Sequence, residues 1–331
     1  MFKSRTPKFN DKKGRELENS IAVLEPIRVG GIKQWVMIRG ENQNKPLLLF
    51  LHGGPGSAQI GFIRPYEKAL EKGFVVVNWD QRGAGKSVRG VNPQAMTIDQ
   101  MVKDTHEVMT HLLSRFHREK LFLVGHSWGS VLGALVAKKY PDLLYAYVGV
   151  SQVVHMENNE RLSYEYSVAK AREANHNKAI RSLTRIGEPP YPNFKAMMAQ
   201  RKWVLKFSPM ELSSFFLFKE VMFSKEYTLM DWLRYIRAVR RSHRLLWDEF
   251  LTVDLFKQVP ALAVPTFFCE GRHDYQAPFE LVEQYMTRLI APYKKIFWFD
   301  RSAHSPHLSE PKRFAEVCQA IKQRVYRLTF N

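Results

Sequence analysis

The segment FLVGHSWGSV at residues 122–131 is the most informative part of this sequence about its fold. It contains a Gly-x-Ser-x-Gly pattern, formed by Gly125, Ser127 and Gly129, between an apolar run and a helical pattern. In a strand, turn and helix context this pattern is typical of a nucleophile elbow, where a sharp turn lifts a serine hydroxyl above the end of a sheet. Glycine is expected on either side of the serine because side chains would collide at such a turn. The segment therefore predicts that Ser127 is a nucleophile.

The sequence on both sides of this segment alternates short apolar runs with helical patterns, which indicates parallel strands joined by crossover helices. One helix should begin after Thr97, which forms a capping box with Gln100, and continue to Phe116. Another should follow Ser127 and end at Tyr140, because a proline comes next. The predicted strands cover residues 46–53, 74–80, 121–125, 145–151, 264–271 and 294–300.

The strand pattern is interrupted from about residue 152 to residue 251, where the sequence becomes helix-like. We therefore predict an α/β fold with a mostly parallel central sheet, helices on both faces and an inserted helical cap. The core domain should consist of residues 1–151 and 252–331, and the cap of residues 152–251. A closing helix should bury one face formed by Phe314, Val317, Cys318, Ile321 and Val325.

Composition limits the class of protein. The chain has 331 residues, of which 45% are hydrophobic, enough for a substantial core. It contains no apolar run of the roughly 18 residues that a membrane span needs, and its first residues lack the apolar stretch of a secretion signal. We therefore expect a cytoplasmic protein without a membrane segment. Two cysteines, Cys269 and Cys318, are expected to be buried structural thiols, since they form neither a disulfide framework nor a metal-binding spacing.

The formal net charge of +18 raises the question of an anionic partner. Residues 152–251 contain 17 lysines and arginines against 11 aspartates and glutamates, so about a third of the chain carries about a third of the excess charge. Such an even distribution argues against a nucleic-acid interface. The densest stretch, RYIRAVRRSHR at 234–244, brings Arg234, Arg237, Arg241 and Arg244 near one helical face, and a solvated helix surface is the simplest interpretation.

A serine hydroxyl needs a base to remove its proton and an acid to orient that base. The segments FFCEGRHD (267–274) and FWFDRSAH (297–304) supply Asp274 and His304 at strand ends, in the order serine, acid, histidine. Catalytic groups of open parallel sheets collect at the carboxyl ends of the strands. His273 and His307 are alternative bases, but their positions fit a strand end less well.

Acyl transfer also requires donors for the oxyanion that develops on the substrate. The stretch LHGGPGSA (51–58) follows a central strand and is largely free of side chains, so the backbone N–H of Gly54 should face the substrate oxygen. The elbow should aim the backbone N–H of Trp128 at the same oxygen. This chemistry requires neither a metal nor an organic cofactor.

Three motifs in this order resemble the proline iminopeptidase group of α/β-hydrolases: HGGPG at 52–56, DQRGAGKS at 80–87 and GHSWGS at 125–130. The resemblance implies an α/β-hydrolase fold, a helical cap over the site and the release of an N-terminal proline. It also implies Asp80 and Arg82 as supporting loop residues. For the reaction it implies Ser127, Asp274 and His304 as the triad, with Gly54 and Trp128 as oxyanion donors.

The substrate is less well defined than the reaction. Members of this group hold the substrate's free ammonium with acidic side chains near the cap, and candidates here are Glu157, Glu160 and Glu165, with Tyr275 as an uncharged acceptor after the triad acid. Glutamates on the surface of a helix are the alternative interpretation. We therefore expect a small-molecule, peptide or ester substrate, and neither a nucleic acid nor a membrane as partner.

Two other functions are compatible with the sequence. A carboxylesterase would use the same triad with an apolar cap pocket, to which the aromatic segment SSFFLF (213–218) could contribute. A binding module could keep the fold without turnover, although all the expected catalytic groups are present. Dehalogenation or epoxide hydrolysis would require an aspartate at position 127, which is serine.

Overall fold

A computed structural model describes residues 4–210 and 224–330. Eight strands form one sheet in the spatial order β1-β2-β4-β3-β5-β6-β7-β8. Strand β2 pairs antiparallel with β1 and β4, whereas β3 to β8 are parallel, which confirms the predicted mostly parallel sheet. The strands are β1 (Ile21–Val29), β2 (Ile32–Gly40), β3 (Leu47–Leu51), β4 (Val75–Asp80), β5 (Leu121–His126), β6 (Leu144–Val150), β7 (Thr266–Gly271) and β8 (Lys294–Phe299).

The antiparallel hairpin β1–β2 lies outside the predicted strand pattern, which begins only at residue 46. Its two-residue loop consists of Gly30 and Gly31, whose φ angles are +51° and +78°. A two-residue hairpin loop with both φ angles positive matches the twist of its strands, and glycine adopts this conformation without strain. The hairpin extends the sheet beyond β4, on the side away from β7 and β8.

Helices cover both faces of the sheet and also form the insertion between β6 and β7. They are α1 (Arg64–Glu67), α2 (Ile98–Phe116), α3 (Trp128–Lys139), α4 (Met156–Glu173), α5 (Asn177–Ile186), α6 (Phe194–Phe207), α7 (Leu229–Leu251), α8 (Leu255–Gln258), α9 (Phe279–Arg288), α10 (Pro306–Ser309) and α11 (Pro311–Phe330). The predicted start of α2 is correct, since Thr97 Oγ1 accepts a hydrogen bond from the backbone N–H of Gln100 at 3.1 Å. The predicted capping box is wrong in its second half, because the Gln100 side chain donates to Asp104 Oδ1 at 2.7 Å.

Alternate residues of the central strands enter two separate hydrophobic cores. Leu49 packs with α2 and α3 on one face, and Phe50 packs with α11 on the other. Burying both faces explains why these strands are continuously apolar rather than alternating. Each leucine or phenylalanine so buried stabilises the fold by about 1.5–3 kcal/mol. All five residues predicted on the closing helix lie in the second core.

Both cysteines are buried and free, as predicted for structural thiols. Burial raises the pKa of both Cys269 and Cys318 well above the ordinary value, which keeps the thiols protonated.

Helices α4 to α7 lie between β6 and β7 in the chain and add no strand to the sheet. Helices α4, α5 and α6 share a small apolar cluster of their own, centred on Ala171, Leu183 and Trp203. The segment 213–218, which could have lined a cap pocket, lies outside the described residues. Within the two described ranges, no helix has the length and apolar character needed to span a bilayer.

Candidate active site

Ser127 lies at a sharp turn between β5 and α3. Its φ and ψ angles are +52° and −119°, a conformation that residues with a side chain rarely adopt. A Cβ atom at position 125 would lie 2.2 Å from the Gly129 carbonyl oxygen, and one at position 129 would lie 2.2 Å from the Leu51 carbonyl oxygen. Both contacts are with backbone atoms that cannot move aside. The two glycines of the motif are therefore required by close packing of the turn.

Ser127, His304 and Asp274 form a continuous hydrogen-bonded series. The Ser127 Oγ lies 2.9 Å from His304 Nε2, and His304 Nδ1 lies 2.9 Å from Asp274 Oδ2. Because an ionised carboxylate only accepts hydrogen bonds, Nδ1 carries the proton and Nε2 is free to accept the serine hydroxyl proton. This tautomer is the one that a general base for Ser127 needs.

Asp274 is fully buried and is held by several donors. Its Oδ1 accepts hydrogen bonds from the backbone N–H groups of Gln276 and Ala277, each at 2.9 Å. Burial alone would raise the pKa of this carboxyl, but the charge and hydrogen bond of His304 together with the backbone donors outweigh it and hold the pKa below its ordinary value. Asp274 is therefore ionised at neutral pH, as an orienting acid requires.

The two alternative histidines do not take this position. His307 is buried, with its ring centroid 4.5 Å from that of His126, and its Nδ1 makes no hydrogen bond within the described residues. His273 is half-buried, and its backbone N–H donates to the Ser302 carbonyl. His304 is the histidine that contacts Ser127.

Sequence reasoning missed two groups that fix the His304 backbone. The carbonyl of His304 accepts hydrogen bonds from His126 Nε2 at 2.8 Å and from Ser151 Oγ at 2.9 Å. Burial lowers the pKa of His126 to about 3, so its ring stays neutral. His126 is the last residue of β5 and Ser151 follows the last residue of β6, and this position at the ends of neighbouring strands was the available signal. They anchor the loop that carries the candidate base.

Two backbone N–H groups beside Ser127 have no acceptor among the described residues, those of Gly54 and Trp128. Gly54 lines the cavity above Ser127 and has a φ angle of +126°. The Trp128 indole points into the core, where its Nε1 donates to Gln81 Oε1 at 3.0 Å, so only its backbone is available near the serine. Two unpaired donors flanking a nucleophile can stabilise an oxyanion.

Gly54→Ala should lower kcat by about 10²- to 10³-fold, the usual effect of losing one oxyanion donor. A Cβ atom at this position would lie 2.4 Å from the backbone nitrogen of Gly56 and 2.6 Å from that of Ser57, so the loop must shift. Steady-state kinetics with an acyl anilide measures the effect. Gly31→Ala is the matched control, because Gly31 also has a positive φ angle but nothing lies within 4 Å of its added Cβ. Equal losses of kcat in both variants would contradict a donor role.

The serine opens into a cavity of about 380 Å³ between the ends of the strands and the inserted helices. This volume is within the range of small-molecule binding sites. Apolar atoms supply most of the exposed wall, although about half of the lining residues have polar or charged side chains. The apolar side chains are those of Phe62, Val153, Met156, Met197, Met198, Leu205, Tyr235, Trp247, Phe250 and Leu308.

The predicted acidic residues differ in their placement. Glu160 is 1% exposed and lines the cavity, where one carboxylate oxygen pairs with Arg201. Its other oxygen, Oε2, has no hydrogen-bond partner in the described part of the chain. Glu157 and Glu165 are exposed on α4, as surface glutamates would be. Tyr275 is absent from the cavity wall, and its ring stacks on that of Tyr166 at 3.6 Å.

Arg201 was missed by sequence reasoning, because its contact with Glu160 joins α6 to α4 across 41 positions of the chain. It is largely buried and also lines the cavity. Nothing in the local pattern of either helix indicates this pairing. The described residues contain no group of three or more histidine, cysteine, aspartate or glutamate side chains that could hold a metal ion.

The segment DQRGAGKS (80–87) links distant elements of the fold. Asp80 accepts hydrogen bonds from the Lys86 backbone N–H at 2.8 Å and from the Tyr227 hydroxyl. Burial raises the pKa of Asp80 to about 7. Lys86 Nζ binds Asp231 at the first turn of α7 at 2.7 Å, and Arg82 forms a buried ion pair with Asp104. The segment therefore ties α2 and α7 to the sheet.

The fold and the geometry of this site define an α/β-hydrolase. A family model described as the alpha/beta hydrolase fold matches residues 46–274, and the chain belongs to this family. The predicted fold class is thereby confirmed, and the protein is an enzyme of the hydrolase class.

Named relatives agree with the resemblance found in the motifs. The chain is 39% identical over 306 residues to the "Probable aminopeptidase YbaC" of Bacillus subtilis strain 168, covering 91% of this chain and 96% of that protein. It is 23% identical to the proline iminopeptidase of Heyndrickxia coagulans, covering 84% and 90% of the two chains. The crystal structure of Mycobacterium smegmatis proline iminopeptidase superimposes with a TM-score of 0.66 at 19% identity, covering 92% of this chain and 99% of that chain, and shares the fold.

Proposed function

We propose that this protein is a serine aminopeptidase that releases the first residue of a peptide through an acyl enzyme. In the first step, Ser127 Oγ attacks the carbonyl carbon while His304 Nε2 takes the hydroxyl proton. The oxyanion that forms accepts hydrogen bonds from the backbone N–H groups of Gly54 and Trp128. The C–N bond then breaks, and His304 protonates the departing amine. The first residue of the substrate stays bound through its carbonyl carbon as an ester of Ser127.

A water molecule completes the cycle. His304 removes one of its protons as it attacks the ester, and returns that proton to Ser127 Oγ as the ester bond breaks. Asp274 keeps the imidazole in the required tautomer in both halves of the reaction and stabilises the transient imidazolium. The hydrogen bonds from Ser127 to His304 and from His304 to Asp274 support this sequence of proton transfers.

The observation that carries the aminopeptidase assignment is the free carboxylate oxygen of Glu160. A buried acceptor without a partner is costly, and a bound ammonium group would satisfy it. Arg201 occupies only the other oxygen of this carboxylate. Glu160 lines the same cavity as Ser127, so one ligand can reach both groups. We assign Glu160 to the free α-amino group of the substrate.

We further propose that residues 152–251 act as a cap domain that selects the substrate. Three methionines, Met156, Met197 and Met198, contribute to the apolar wall that these residues supply. Methionine adapts its shape to different ligands because its side chain is unbranched and flexible. The side chain of the first substrate residue would pack against this wall. Peptides with an apolar first residue are therefore the expected substrates.

Glu160→Gln should reduce the preference for a free amine by about 10- to 100-fold. Hydrogen bonds to charged groups contribute about 1.5–3 kcal/mol, and the neutral amide removes the charge while keeping the shape. The measurement is the ratio of kcat/KM for an aminoacyl anilide to kcat/KM for its N-acylated form. A ratio within one variant does not depend on how much of the protein is folded.

Glu157→Gln serves as the matched control, because Glu157 is on the same helix but exposed. Its ratio should equal that of the wild type. An unchanged ratio in Glu160→Gln, or the same decrease in both variants, would remove Glu160 from the amine site.

Carboxylesterase activity is the second candidate, and the largely apolar cavity wall favours it. Three compounds separate the candidates: a proline anilide with a free amino group, the same anilide N-acylated, and a short-chain nitrophenyl ester. Preference for the free amine supports the aminopeptidase. Preference for the ester, without any gain from a free amine, supports the esterase and makes Glu160 irrelevant to binding. Failure to turn over any acyl compound would favour a binding module.

A further inference from the structure

A second cavity, of about 710 Å³, adjoins the one that contains Ser127. It is a groove between the turn at 191–194 and helix α7. His243 and Trp247 line both cavities, so the groove begins where the wall of the candidate active site ends. Phe194 contacts His243 edge-on in this shared wall, with ring centroids 5.2 Å apart.

The groove is strongly basic. Arg237, Arg240, Arg241 and Arg244 all line it and are exposed. In the described part of the chain, no carboxylate lies within ion-pair distance of any of these four guanidinium groups. Asp248 is the single acidic residue among those that line the groove. The arginine-rich stretch that sequence reasoning treats as a solvated helix surface thus forms one wall of a concave site.

We infer that this groove binds the acidic portion of a peptide substrate, on the side of the leaving group. This inference rests on the proposed aminopeptidase function. A peptide whose first residue occupies the Ser127 cavity must continue past the wall of that cavity, and His243 and Trp247 separate it from the arginines. Guanidinium groups bind carboxylates in a planar, bidentate manner, and aromatic side chains supply surface for the peptide backbone. The preferred substrates are therefore peptides with aspartate or glutamate after the first few residues.

Peptide pairs test this inference. One peptide of each pair carries several glutamates downstream of an apolar first residue, and the other carries glutamines at the same positions. In the wild type, kcat/KM should be about five- to tenfold higher for the acidic peptide at low ionic strength, since each exposed charge pair contributes modestly. The advantage should shrink as salt is added.

The variant R240E/R244E should abolish or reverse this advantage, because it inverts the charge of the groove without touching the cavity of Ser127. It leaves Arg241, which donates to the Val91 carbonyl, in place. The control R181E/R185E changes the same charge on exposed residues of α5, outside the groove, and should keep the wild-type preference. Turnover of a small aminoacyl anilide should be the same in all three proteins.

Equal rates for acidic and neutral peptides in the wild type would overturn the inference. So would an equal loss of preference in both double variants, since this would indicate a general effect of net charge. The groove would be assigned to another partner if the protein showed no peptide preference but bound anionic lipid vesicles or duplex DNA in a way that depends on Arg240 and Arg244. Failure of the anilide assay in every protein would instead count against the proposed function.

Discussion

Ser127→Ala is expected to reduce kcat on aminoacyl anilides by a factor on the order of 10⁶, because a serine hydrolase loses its covalent route entirely without the hydroxyl. The Ser127 Oγ is the atom that lies 2.9 Å from His304 Nε2. The remaining groups could still bind the substrate and polarise its carbonyl, so a small residual rate is consistent with this expectation. Steady-state kinetics at saturating substrate measures the loss.

Ser57→Ala is the matched control for this experiment. Ser57 lines the same cavity, and its hydroxyl makes no hydrogen bond to another described residue. Its removal should change kcat by less than tenfold. Comparable losses in the two variants would mean that the effect is not specific to the hydroxyl at 127. KM should change little in Ser127→Ala, because Glu160 and the apolar wall still bind the substrate.

Asp274→Asn is expected to lower kcat by about 10⁴-fold while leaving the fold intact. The backbone donors hold the amide oxygen at the Oδ1 position, so an N–H₂ group faces His304 Nδ1 where the carboxylate accepted a hydrogen bond, and this favours the opposite tautomer. In that tautomer Nε2 carries the proton and cannot accept one from Ser127. The measurement is kcat across a range of pH. At high pH, hydroxide can remove the Ser127 proton in place of the histidine in the wrong tautomer, so part of the lost activity should return.

Asp300→Asn is the control for the acid. Asp300 lies four positions before His304 but is exposed at the surface, close to Arg272. The activity of the Asp300→Asn variant should match that of the wild type. A loss below tenfold in Asp274→Asn would mean that another carboxylate orients the histidine, and Glu270, buried at the end of β7, would be the next residue to replace.

The central part of the fold could be predicted from the sequence because its strands are buried on both faces. Strands β3 to β7 therefore appear as short, mainly apolar runs, whereas β8 lies at the edge of the sheet, is only partly buried and begins with two lysines. The hairpin β1–β2 has mixed exposure and lies at the edge of the sheet, so it lacks such a run. Its Gly30-Gly31 turn was the signal that could have revealed it.

The candidate triad could be predicted for a different reason. Ser127, Asp274 and His304 each follow the carboxyl end of a strand, and parallel topology brings such ends together. Local sequence then indicates the candidate nucleophile, because Gly125 and Gly129 are needed where the backbone passes within contact distance of itself. The motif thus specifies both the tight turn of the backbone and the hydroxyl group that the turn presents.

The proposed substrate-binding residues could not be predicted with the same success. Glu160 was one of three candidate glutamates on α4, and only its packing against α6 separates it from Glu157 and Glu165. Contacts between helices depend on their crossing angles, which no short pattern specifies. The basic groove is a similar case, since a helical surface rich in arginine becomes a site only when the turn at 191–194 lies opposite.

The measurement that tests the account most directly is covalent trapping at the nucleophile. The protein is treated with a fluorophosphonate, digested, and analysed by mass spectrometry to locate the adduct. We predict that the added mass is on Ser127, that substrate slows its formation, and that Ser127→Ala is not labelled. An adduct on another residue, or undiminished labelling of Ser127→Ala, would contradict the assignment of Ser127 as the nucleophile.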